Sequence, residues 1–147
     1  MALETLLDHY SLRCLGERFA DCANRHDYGG FAALWHDDGV WEIGAPINVS
    51  FTGAPAIRRG IEAMLKRWDF FVQMPTAFNV QIYGETATGY WTVHEVARSA
   101  DGSQGNVNLS MYLDDYRKSA DGWRFECRRY RTIYADAQQK KKKSFQL

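Results

Sequence analysis

The chain has 147 residues, and its 18 Lys plus Arg balance 18 Asp plus Glu, so with neutral histidines the formal charge is zero. Hydrophobic residues make up 46% and aromatic residues 14%, a composition that excludes a tail, a fibre or a membrane span. The balanced charge also argues against a general electrostatic grip on nucleic acid or an anionic membrane. A chain of this length buries roughly 68–70% of its unfolded surface and needs no metal or disulfide staple.

Leu12, Leu15, Phe19 and Cys22 recur at helical spacing with charged residues between them, so a first helix with one apolar face is expected. His26-Asp27-Tyr28-Gly29-Gly30 interrupts it, and Asp27 is placed to cap a short second helix carrying Phe31, Leu34 and Trp35. His36-Asp37-Asp38-Gly39 is read as the end of that helix and Val40-Trp41-Glu42-Ile43 as a first strand. Gly53-Ala54-Pro55 punctuates again, with Pro55 suited to a helix first turn. Ile57, Ile61, Met64, Leu65 and Trp68 then follow at i, i+4, i+7, i+8 and i+11, the clearest amphipathic pattern in the chain.

From residue 76 onward the period becomes two. Phe78, Val80 and Ile82 alternate with polar residues, and Tyr83-Gly84-Glu85 supplies a turn. A strand is expected from Thr86 to Val96, a loop from Ser99 to Gly105, and another strand through Val107, Leu109, Met111 and Leu113. Ser119-Ala120-Asp121-Gly122 marks a hairpin before a last strand from Trp123 to about Tyr134. One domain over residues 1–137 is expected, followed by a solvated basic tail, residues 138–147, with Lys140 to Lys143 in a row.

Helices first and long antiparallel strands afterwards argue for an α+β fold. The expected architecture is a cone-shaped α+β barrel: N-terminal helices packed on a strongly curved, mostly antiparallel sheet that encloses a pocket for a small, partly apolar ligand. Strand alternation groups Asn79, Gln81, Thr92, His94, Asn108, Ser110 and Tyr112 on one polar face, which can line the pocket, meet a partner subunit or face water.

Cys14, Cys22 and Cys127 form no CxxC or Cys/His cluster, and no signal-peptide pattern or long apolar run is present, so reduced thiols in a cytoplasmic protein are expected. Asn48-Val49-Ser50 fits the glycosylation pattern but is set aside on the same ground. Four scattered histidines without ligand spacing imply no metal. His9 and His26 read as surface residues, and His36 as a helix C-terminal residue. His94 shares a strand face with Tyr90 and Thr92. Pointing inward it would be the proton carrier near neutral pH; pointing outward it would serve a subunit interface. Phe19, Trp41, Met64, Trp68 and Met74 read first as packing residues, some of which would also touch a ligand.

Several strings in order carry a resemblance. Phe19-Ala20-Asp21 through Asn24-Arg25-His26-Asp27-Tyr28, Phe31 through Leu34-Trp35, and Asp37 through Glu42 resemble the opening of SnoaL-like proteins. Phe51-Thr52-Gly53 with Ala56-Ile57-Arg58, Gly84 through Thr88, and Asp121-Gly122-Trp123-Arg124-Phe125 with Arg128 extend the similarity over about residues 5 to 133. Gly89-Tyr90 and Asn108-Leu109 before Met111-Tyr112 look most like scytalone dehydratase. The resemblance implies the nuclear-transport-factor-2-like (cystatin-like) cone fold, shared by dehydratases, dehydrochlorinases, isomerases, polyketide cyclases and non-catalytic subunits.

It also implies a site. In scytalone dehydratase and its relatives a His on the first long strand works with an Asp at the end of helix one, a base oriented by a carboxylate. Those positions fall here at Gln73 and Asn24, and an amide cannot hold a proton for base work. Asn108 matches the pocket asparagine, and Arg128 matches the closing-strand arginine that can orient an anionic or carbonyl oxygen. The family's catalytic histidine of the second long strand falls near Ala97.

Two function classes follow. The first is a lyase or isomerase without a cofactor, acting on a small cyclic organic ligand. In it Gln73, Asn108 and Arg128 polarise an oxygen and His94 carries the proton, while Phe19, Asn24, Trp41, Met64, Met74 and Tyr112 bind the substrate. The second is a non-catalytic binding or association subunit, like the β subunit of ring-hydroxylating dioxygenases. Either is expected as a homodimer or homotrimer, because helices cover only one face of the sheet.

Overall fold

Leu12, Leu15, Phe19 and Cys22 line the buried side of α1 (Leu3–Asn24) in the computed structural model, which describes residues 1–137. The expected basic tail, residues 138–147, therefore lies outside the described residues. Gly16 sits on the same side of α1, and a Cβ there would collide with the indole of Trp91, so the missing side chain lets the helix close onto the sheet. Asp27 caps α2 (Tyr28–Ala32) by accepting the Gly30 N–H at 2.9 Å.

The short helix stops at Ala32, and β1 (Trp35–Ile43) starts earlier than the local pattern suggests. His36 is therefore a buried strand residue, not a helix end, with Nε2 2.9 Å from the Arg117 carbonyl. Pairing with β6 draws this segment into the sheet, since Trp35 is the register partner of Phe125 and the Phe125 N–H donates to the Leu34 carbonyl at 2.9 Å. A short β2 (Val49–Thr52), which the sequence did not suggest, pairs antiparallel with β1. α3 (Ala54–Leu65) carries Pro55 in its first turn and buries Ile57, Ile61 and Leu65. Trp68 does not extend that helix. It opens β3 (Trp68–Tyr83), which is followed by β4 (Thr86–Ser99), β5 (Gly105–Ser119) and β6 (Gly122–Ala137).

All six strands form one sheet in the order β2-β1-β6-β5-β4-β3. Its pairings are antiparallel except for the parallel contact of β1 with β6. β2 and β3 do not pair, so the sheet is open and the expected barrel is not closed. Register shifts after Pro75 on β3 and at two points between β5 and β6 bend the long strands. α1 lies on the concave side and touches both β3 and β6.

The concave side is filled by aromatic rings. Phe19 lies 4.5 Å from Phe31, 5.1 Å from Tyr112, 5.8 Å from Phe125 and 6.0 Å from Trp41, centroid to centroid, mostly edge-to-face. Among the described residues no helix is long and apolar enough to cross a membrane.

Candidate functional site

Trp91, Val93 and Ala97 are buried on alternate positions of β4, which assigns that set, with Glu95 among them, to the concave face. Register then decides the neighbours. Gln73 of β3 is the partner of Glu95, and Glu95 is the partner of Asn108 on β5. Directly opposed residues share a sheet face, so these three polar side chains stand in a row across three strands. The Gln73 Nε2 donates to Glu95 Oε2 at 2.8 Å and to the Tyr112 hydroxyl at 3.1 Å. The Asn108 Nδ2 reaches Glu95 Oε1 at 3.4 Å, while Asn108 Oδ1 is buried without a partner.

The end of α1 holds this row in place. Asn24 Oδ1 accepts the Gln73 backbone N–H at 2.8 Å, and Asn24 Nδ2 donates to the Gln73 carbonyl at 2.9 Å. The amide thus acts as a short strand against the free side of β3. Its side chain is committed to the backbone and does not meet the Gln73 side chain, so the two amides form no dyad in the geometric sense.

Below the row, Ser110 donates to the Tyr130 hydroxyl at 2.6 Å. Deeper still, Arg128 Nε donates to Asp114 Oδ1 at 2.9 Å, and Tyr116 donates to Asp114 Oδ2 at 2.6 Å. The guanidinium carbon of Arg128 lies 3.8 Å from the Tyr112 ring centroid and 4.2 Å from that of Phe19. Arg128 is thus locked in the core at 1% exposure, with Nη1 unpartnered, rather than presented to a ligand.

Burial dominates the electrostatics. It pushes the Glu95 carboxyl above its ordinary range against the opposing hydrogen bonds from Gln73, Asn108 and Tyr130. It likewise raises the Tyr112 phenol, raises Tyr116 strongly, and lifts Tyr130 to about 12. The Asp114 carboxyl is pushed up by burial against the pull of Arg128.

The residues singled out from sequence separate into groups. Gln73, Asn24, Asn108 and Tyr112 come together at one end of the concave face. Phe19 and Trp41 are core residues, and Met64 packs partly buried against them. Met74 lies on the outer face at 40% exposure, in register with His94. His94 pairs with Leu109, not with Asn108, and so stands on the outer face of β4. The single polar face expected from alternation is in fact two. Asn79, Gln81, Thr92 and His94 face outward, whereas Asn108, Ser110 and Tyr112 face inward, because Thr92 is opposite Met111 and His94 opposite Leu109.

Glu95 was missed. The signal was a carboxylate inside the alternating run Trp91, Val93, Glu95, Ala97, where an outward reading of the adjacent His94 obliges Glu95 to face in. Among the described residues no group of three or more His, Cys, Asp or Glu could hold a metal ion.

Residues 4–129 match the SnoaL-like domain. No curated protein matches the chain. Solved structures match over nearly its whole length. Hexachlorocyclohexane dehydrochlorinase LinA-type3 from Novosphingobium barchaimii superposes with a TM-score of 0.84 at 18% identity, covering 92% of this chain and 93% of that one. A candidate scytalone dehydratase from Novosphingobium aromaticivorans gives 0.81 at 14% identity, covering 95% and 92%. An NTF2-like protein with a cystatin-like fold from the same species gives 0.77 at 22% identity, covering 89% and 85%. At these identities the likeness establishes the fold.

Proposed function

We propose that this chain, which belongs to the SnoaL-like domain family, binds a small, cyclic, partly apolar metabolite against the inner polar row and acts on it as a cofactor-independent lyase or isomerase. One observation carries the reading: Gln73, Glu95 and Asn108 stand side by side on a face otherwise filled with aromatic and aliphatic side chains. Phe71, partly buried next to Gln73 on the same face of β3, adds apolar area for a ring beside these convergent polar groups, which would fix its orientation. The amide N–H groups of Gln73 and Asn108 are suited to polarising a carbonyl or hydroxyl oxygen. Arg128 contributes from beneath, by holding the Tyr112 ring whose hydroxyl meets Gln73. His94 has no part in this chemistry.

The test is a panel of cyclic ketones, ring alcohols and halogenated rings, scored for thermal stabilisation of the protein and for product. A binder that is converted, and whose turnover falls about 10²-fold in Gln73→Leu or Asn108→Leu, supports the reading. A panel in which nothing stabilises the protein rejects it.

A second reading, a non-catalytic association subunit, is favoured by the outer face of the sheet. Met74, Tyr90, Leu109, Leu113, Ile133 and Tyr134 are exposed. The charges of the same region are internally paired, Arg129 with Asp115 at 2.9 Å and Arg131 with Glu42 at 2.6 Å. A face that mixes exposed apolar side chains with polar ones and paired charges suits a second copy of the chain, and both readings include a homodimer or homotrimer assembled through it. Light scattering that gave the 16.9 kDa monomer mass at micromolar concentration would reject the assembly.

A further inference from the structure

We propose that Glu95 is the proton carrier of this site, taking a proton from a carbon beside the carbonyl of a neutral cyclic ketone and returning it to the same carbon or a conjugated one. This assignment rests on the reading of the inner face as a ligand site.

The argument is one of elimination by contacts. In and beside the row, the ionisable side chains on the concave face of β3 to β5 are Glu95, Tyr112, Asp114 and Tyr116; Lys118, near the far end of β5, is paired with Asp8 of α1 at 2.8 Å. Asp114 is engaged on both oxygens, by Arg128 and by Tyr116. Burial raises the Tyr112 and Tyr116 phenols, so neither gives up its proton near neutrality. Glu95 differs in its partners. Two of them are the amides of Gln73 and Asn108, which donate but cannot take a proton. The third is Tyr130, whose phenol is itself raised by burial to about 12. A proton reaching Glu95 is therefore not passed to its neighbours and stays available to a ligand.

The two carboxylate oxygens are unequal. Oε2 is held at 2.8 Å by Gln73, whereas Asn108 approaches Oε1 only to 3.4 Å. Oε1 is thus the more loosely held of the two by the amides, and Glu95 and Asn108 are only partly buried. Burial raises the Glu95 carboxyl, which strengthens it as a base.

The step balances without an oxidant, a metal or a co-reactant. The C–H bond breaks and an O–H bond forms at Oε1. The C–H electron pair becomes the enolate π bond, and the carbonyl oxygen takes the negative charge. One charge has moved from Glu95 to the ligand, and the amide donors of Gln73 and Asn108 are released to follow it. Reprotonation by the same carboxylic acid restores Glu95. An anionic ligand would place a second negative charge against the carboxylate, which is why the class is a neutral ketone.

The experiment measures deuterium incorporation from D2O into 2-tetralone, 1-indanone and cyclohexanone, with binding followed in parallel by thermal shift. Wild type is expected to speed exchange in a manner that rises with pH and levels off once Glu95 is ionised. Glu95→Gln should lower the rate by about 10²–10⁴-fold while the ketone still stabilises the fold, and Glu95→Asp should fall between. Ketone binding by Glu95→Gln also shows that the variant is folded. Undiminished exchange in Glu95→Gln overturns the assignment, as does a bound ketone that wild type does not exchange, and in both cases the ligand site stands. If none of the ketones binds, the site and the assignment fall together.

Discussion

Arg128 and Asp114 form an ion pair, Nε to Oδ1 at 2.9 Å, in which both side chains are essentially without solvent contact. Such a pair is costly to break on one side, because the survivor is left charged and buried. Asp114→Ala is expected to cost about 3–5 kcal/mol, measured by urea denaturation. Asp114→Leu combined with Arg128→Met should recover most of that loss. A double variant no more stable than the single one would mean that the guanidinium stacking on Tyr112 and Phe19, not the pair, is the main contribution.

Glu95 links the candidate chemistry to stability. Its carboxyl is raised in the folded state by burial, so the folded protein holds that proton at pH values where the unfolded chain has released it. The corresponding stability is fully present below the unfolded carboxyl range and is lost as pH rises through the folded value. Glu95→Gln, which is never ionised, should therefore gain on wild type between pH 4 and pH 7. Urea midpoints at the two pH values check this, and an equal difference at both would contradict it.

Asn24 serves the backbone of β3. Asn24→Ala removes both contacts with Gln73 and is expected to cost about 1–3 kcal/mol. Hydrogen exchange at the Gln73 amide should accelerate beyond that of its neighbours on β3. Asn24→Asp keeps the acceptor for the N–H but sets an oxygen against the Gln73 carbonyl, so it should not restore wild-type protection. Full protection in Asn24→Asp would show that the second contact carries nothing.

The outer face is separable from the inner one. Leu109→Lys should dissociate the proposed homo-oligomer, and His94→Ala, at the register partner of Leu109 on β4, should weaken it. Both should bind the same ring compounds as wild type. Sedimentation velocity and thermal shift on each variant check the pair of outcomes. Loss of ligand binding in His94→Ala would return that residue to the site.

What was legible in the chain follows from what each kind of periodicity encodes. α1 and α3 repeat apolar residues over several turns, and their buried sets match the pattern. The start of β1 was not legible, because Trp35 and His36 are strand residues only through pairing with β6, a contact distant in sequence. Trp68 fitted the helical spacing of α3 and equally the first position of β3. For the site, a period of two sorts residues within one strand but not between strands. Tyr90, Thr92 and His94 do share a face, as do Asn108, Ser110 and Tyr112, yet register sets the two groups on opposite sides of the sheet. That one offset puts His94 on the outer face and Glu95 in the inner polar row. Gln73, Asn24 and Asn108 were located by resemblance, whereas the clip between Asn24 and the Gln73 backbone could be seen only in three dimensions.

The border position of β3 carries a further consequence. Sixteen residues long, it would ordinarily present a run of open N–H and C=O groups on which a foreign strand could build. Here the Asn24 amide occupies both groups of Gln73, Pro75 two residues on has no N–H to offer, and the register shift that follows it interrupts the ladder. At the opposite border β2 has only four residues. The middle of one rim is blocked and the other rim is short, so the sheet offers a foreign strand little uninterrupted edge on which to grow.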